Sequence, residues 1–106
     1  MAGPFIRWAF GHIPRGLPGL LAETERVVAF RHPRPSYPVH ILIVPRRPVA
    51  SLMALDGDDA GLLADVVQVT QSLVCQHGLE RRGYRLVVNG GAYQVVAQLH
   101  FHLISD

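Results

Sequence analysis

The sequence predicts an α+β domain: a mainly antiparallel sheet of about five strands, with one long helix packed on one face. Three observations predict it. Short β-rich runs broken by Pro and Gly flank a single long amphipathic segment. The run VHILIVP is apolar on both faces apart from one histidine, as a central strand requires. The closing run QLHFHLI alternates polar and apolar residues at the strand period. The chain of 106 residues suffices for one domain with one modest core, and its 49% hydrophobic content argues against disorder.

Residues 1–18 read as a Pro/Gly-punctuated lead-in with a short helical turn near Phe5–Phe10, and 19–106 as the domain proper. LLAETERVVAF predicts two short strands, 19–22 and 26–31, with the turn at Glu23–Glu25. Pro33, Pro35 and Pro38 then impose an extended, irregular loop. VHILIVP is the clearest strand, 39–44, ended by Pro45. The helix spans 58–77. Asp56 is its N-cap, Asp58 and Asp59 put negative charge in its first turn, and Gly78 follows where a left-handed residue belongs. Its buried stripe is Leu62, Leu63, Val66, Val67, Thr70, Leu73 and Val74. YRLVVN gives a strand at 84–89, GGAYQVVA a turn, and QLHFHLI the closing strand at 98–104.

Composition excludes several classes. The net charge is only +2 and its arginines are scattered through turns, so nucleic acid is not the expected partner. One cysteine, Cys75, excludes an intramolecular disulfide and a Cys-rich zinc module, and fits a reducing, cytoplasmic setting. The N-terminal residues make a poor signal peptide, and no run approaches the roughly 18 apolar residues of a membrane helix.

The chemistry lies in the last strand. Gln98, His100, His102 and Ile104 share one face; Leu99, Phe101 and Leu103 share the other. The two histidines stand about 7 Å apart along the strand. Neutral imidazoles at this spacing suit a phosphate-sized ligand or a metal, and can equally be solvated on an open sheet face. Only His40 is at hand to extend a metal set, with no obvious carboxylate or cysteine, so no metal is expected.

PVHILIVPRRPV, GYRLVVNGG and QVVAQLHFHLI occur in this order around one helix. In this the chain resembles the histidine triad (HIT) family of nucleotide hydrolases and transferases, from about Leu20 to Ile104. The family motif alternates three histidines with apolar residues; here it reads Gln98-Leu99-His100-Phe101-His102-Leu103-Ile104, with Gln98 in the first place. The resemblance implies a HIT-like fold and attack by His100 on a nucleoside α-phosphorus, with water hydrolysing the nucleotidyl-histidine. A neutral imidazole is a good nucleophile near neutral pH, and a backbone carbonyl can fix its tautomer. The resemblance further implies that His102 binds phosphoryl oxygen, that His40 relays a proton, and that Asn89 and Gln94 lie near the phosphate. Phe30, His32, Ile41 and Ile43 would line the nucleoside pocket.

The departures are Gln98, which has no titratable proton; His32, in place of a carboxylate that grips the ribose hydroxyls; Val95, in place of a hydroxyl residue; and Pro48, in place of a histidine. With His32, discrimination between ribose and deoxyribose should be weak. The expected partner is a purine nucleotide or nucleotide conjugate, without cofactor, in a homodimer contacting through YRLVVN and the helix. The competing readings are a non-catalytic nucleotide-binding module on the same fold and a metal-binding protein using His40, His100 and His102.

Overall fold

The computed structural model describes residues 19–106; the expected lead-in with its helical turn lies outside the described residues. The elements are β1 (Leu20–Glu23), β2 (Val27–Arg31), β3 (Val39–Pro45), α1 (Ala60–Gln76), α2 (Leu79–Arg82), β4 (Arg85–Val88) and β5 (Phe101–Ser105), with 3₁₀ turns at Leu52–Ala54, Gly57–Asp59 and Gly91–Tyr93. All five strands form one antiparallel sheet in the order β1-β2-β3-β5-β4. The α+β architecture expected from the sequence is therefore observed, with VHILIVP at its centre.

Thr24 closes the β1–β2 hairpin. Its hydroxyl accepts from the Val27 N–H at 3.1 Å and donates to Asp65 of α1 at 2.7 Å, tying the hairpin to the helix. Alternation along the strands sends Val27, Ala29, Ile41, Ile43, Phe101 and Leu103 into one core with Leu62, Val66, Val69 and Leu73 of α1. Fully burying one such side chain contributes roughly 1.5–3 kcal/mol. The partly exposed ion pair Arg26–Asp65, at 3.5 Å, contributes about 1 kcal/mol at most. The helix–sheet layer, not surface charge, holds the fold.

Three sequence expectations need correction. The helical stripe omits Leu63 and Val67, which are exposed, and includes Val69. Burial follows the spacing 62, 66, 69, 73, and positions 63 and 67 fall one step outside it. The helix proper begins at Ala60, after a 3₁₀ turn that carries the cap. There the Asp58 N–H donates to Asp56 Oδ1 at 2.8 Å and the Asp56 N–H to Asp59 Oδ2 at 3.0 Å. Gly78 does take the left-handed conformation (φ 64°), and a short helix, α2, follows it that the sequence did not announce.

The last strand starts at Phe101 rather than residue 98. Continuing the β3–β5 register would set Leu99 against Pro45, which has no N–H to donate. Leu99 instead donates its N–H to the Val49 carbonyl at 2.6 Å, so residues 98–100 approach the sheet as irregular chain.

Candidate functional site

The site forms on the sheet face opposite the helix. His40 lies on β3, His102 on β5, His100 just before β5, and His32 just after β2. In the β3–β5 ladder Leu42 faces His102 and Ile104 faces His40, so the two histidines are diagonal neighbours. The four rings form a row: centroid separations are 5.0 Å from His100 to His102, 5.2 Å from His102 to His40, and 4.3 Å from His40 to His32.

Backbone groups fix the tautomers. His100 Nδ1 lies 2.7 Å from the Gln98 carbonyl. A carbonyl only accepts, so Nδ1 carries the proton and the lone pair is on Nε2. In the loop after β2 the arrangement is reversed. Pro33, Pro35 and Pro38 supply no N–H, and two of the N–H groups between them serve imidazoles. The Arg34 N–H donates to His32 Nδ1 at 2.9 Å, and the Ser36 N–H donates to His40 Nδ1 at 3.0 Å. Neutral His32 and His40 therefore carry their protons on Nε2. His40 Nε2 lies 3.0 Å from His102 Nδ1, so His40 donates and His102 must carry its own proton on Nε2. The site thus has one imidazole with an Nε2 lone pair, His100, beside three with Nε2–H.

Burial favours the neutral forms of His32, His40 and His102. The His102 pKa is lowered to about 4 by burial first, then by the neighbouring imidazoles. His32 is likewise lowered to about 4 by burial, then by His40 and His100. Burial also lowers His40. His32, His40 and His102 present ligand atoms within 4.8 Å of one another, a spacing that invites comparison with a metal site. Metal-ligating histidines, however, donate their second ring N–H to an acceptor. Here the second nitrogen of His32 and of His40 receives a backbone N–H, which leaves Nε2 protonated and unable to ligate. This wiring suits an anion.

A cleft of about 240 Å³ opens over the row and includes Arg34, Leu42, Asn89 and Gln94 in its wall. Asn89, immediately after β4, lines the cleft. Gln94 lines the cleft, but its amide nitrogen donates to the Ala50 carbonyl at 2.8 Å and the Val96 carbonyl at 3.0 Å, which makes it a tie within the loop. Gln98 is buried. Its Oε1 accepts from the Val49 N–H at 3.2 Å and its Nε2 donates to the Arg47 carbonyl at 3.4 Å. Its side chain anchors the segment after β3, while its backbone carbonyl orients His100. Val95 stands exposed at the rim.

Ile41 and Ile43 do not line this cleft. Strand alternation puts them in the core under α1, and Leu42 between them faces the histidines. Phe30 pairs with Leu42 in the β2–β3 ladder and is fully buried on the histidine side. The sequence reading missed Arg34 and Ser36; the signal was the alternation of Pro33 and Pro35 with single residues able to donate.

The architecture is a small antiparallel sheet backed by one long helix, with a row of four histidines on the sheet face away from that helix. The HIT domain family model matches residues 19–106. A HIT-like protein of Chlamydia pneumoniae is 37% identical over 85 residues, covering 78% of this chain and 76% of that one. Among solved structures, a HIT family hydrolase from Legionella pneumophila superposes with a TM-score of 0.81 at 35% identity, covering 96% of this chain and 90% of that one. A histidine triad nucleotide-binding protein from Candida albicans gives 0.75 at 30% identity, with 96% and 74% covered. The chain belongs to the HIT domain family.

Proposed function

We propose that the protein hydrolyses or transfers at a nucleoside α-phosphate, through a covalent nucleotidyl-histidine on His100. The observation that carries this reading is the opposite tautomers of His100 and His102, each imposed from the backbone. His100 Nε2 has the lone pair to attack phosphorus; a P–N bond forms as the bond to the leaving group breaks. His102 Nε2–H can hydrogen-bond a phosphoryl oxygen as charge develops on it. In the second step water adds to phosphorus, the electron pair of the P–N bond returns to Nε2, and nucleoside monophosphate leaves. The solved relative described as a hydrolase supports a hydrolytic outcome, and the one described as nucleotide-binding supports the ligand class. A purine nucleotide conjugate, a homodimer and a cytoplasmic setting complete the proposal; among the described residues no helix is long and apolar enough to cross a membrane.

A second reading is a nucleotide-binding module without turnover. It is favoured by Gln94 and Gln98, whose amides are engaged in holding loops rather than turned to a ligand. Release of nucleoside monophosphate from adenosine 5′-phosphoramidate separates the two. Steady multiple turnover supports the enzyme. Saturable binding with no release from a panel of phosphoramidates, dinucleoside polyphosphates and nucleotidyl adducts supports the module.

A further inference from the structure

His32 is the fourth ring in the row, and as held here it cannot accept hydrogen bonds from two sugar hydroxyls. Two adjacent hydroxyls are best held by a group that accepts from both. His32 is fixed the other way. The Arg34 N–H occupies Nδ1, so the outward nitrogen is a donor. Donors call for an acceptor, and the strongest small acceptor is an anion. Three further observations point the same way. The Arg34 side chain lines the same cleft and is exposed, so its guanidinium can reach a ligand there. Ser36 lines it too. No carboxylate is among the described residues of the cleft wall. His32 is stacked on His40 and its ring lies 6.1 Å from that of His102, so it stands at the end of the row opposite His100; with the reacting phosphate at His100, as proposed above, this is the end where the rest of the nucleotide would lie.

We infer that the cleft has a second anion subsite, formed by His32 Nε2–H and the Arg34 guanidinium, for a phosphate carried on the ribose itself. This rests on the nucleotide reading above and narrows it. The preferred substrates are nucleotides bearing a 2′- or 3′-phosphate besides the 5′-phosphoryl group that reacts. His32 supplies direction as a neutral donor, and Arg34 supplies the charge and a bidentate fork. The same pair explains a cleft with no acidic wall: a carboxylate there would repel the second phosphate.

The test is isothermal titration of the full chain with AMP, adenosine 3′,5′-bisphosphate, adenosine 2′,5′-bisphosphate and ADP. ADP carries its extra phosphate on the 5′ chain and controls for charge alone. At least one bisphosphate should bind tenfold or more tighter than AMP, and the gain should exceed that of ADP. Arg34→Ala should bring the bisphosphate-to-AMP ratio towards one. This variant keeps the backbone N–H that orients His32, and Arg34 is exposed, so the fold is not at risk. His32→Asp should invert the ratio. Equal binding of AMP and both bisphosphates overturns the subsite while leaving the nucleotide reading intact. Equal gains for ADP and the bisphosphates, equally sensitive to Arg34→Ala, also overturn it. Failure of every ligand to bind removes the nucleotide reading and the subsite with it.

Discussion

At the scale of the residue, the proposed function rests on which ring nitrogen carries a proton. His100 and His102 are two positions apart and chemically identical in sequence, yet the Gln98 carbonyl and the Ser36 N–H, acting through His40, give them opposite proton positions. His102→Ala should lower turnover by about a hundredfold, the typical loss for one transition-state hydrogen bond, with a smaller change in KM. The neutral state of His32 and His102 also contributes to acid stability. The folded-state pKa values of His32 and His102, about 4, lie below the unfolded value of 6.5. The folded protein therefore binds fewer protons than the unfolded chain between these limits. Their contribution is fully present above pH 6.5 and is lost as pH falls towards 4. Urea midpoints should be flat from pH 8 to 7 and decline steadily below 6.5. A midpoint independent of pH between 6.5 and 4.5 would mean that these imidazoles titrate normally. The motif His100–His102 and the partner His40 were legible in the sequence. The tautomers were not, because they depend on where two loop N–H groups point.

At the scale of the element, the geometry of the site depends on an irregular approach to β5. Val49 and Gln98 meet across 49 residues of sequence, and the Gln98 amide meets both the Val49 N–H and the Arg47 carbonyl. Gln98→Ala leaves the buried Val49 N–H without its acceptor, and should cost about 1–3 kcal/mol in urea unfolding. Turnover should fall with it, because the same segment carries the carbonyl that holds His100. A Gln98→Ala protein of unchanged stability would show that this amide is dispensable as an anchor. The helix, its Asp56 cap and β3 were readable because local period and turn chemistry dictate them. The start of β5 was not, since it follows from the absent N–H of Pro45 on a neighbouring strand. The placing of Ile41 and Ile43 was readable in principle: with His40 on the cleft face, alternation already sends both to the core.

At the scale of the whole molecule, β4 is an edge strand among the described residues, and Leu86 on it is exposed, as are Leu63 and Val67 on α1. An unpaired edge with apolar side chains is a surface that pairs readily with another strand. A homodimer with the sheet continued through β4 is the expected assembly. Light scattering at micromolar concentration should give twice the chain mass, and Leu86→Glu should give the monomer mass; a monomeric wild type contradicts this assembly. The central claim is that His100 becomes covalently nucleotidylated, and intact-mass spectrometry of protein quenched in acid during turnover of adenosine 5′-phosphoramidate tests it most directly. The expected result is a population heavier by one adenylyl group in the wild type and in His102→Ala, and none in His100→Ala. Turnover by the wild type with no adduct, or an adduct that persists in His100→Ala, would contradict it.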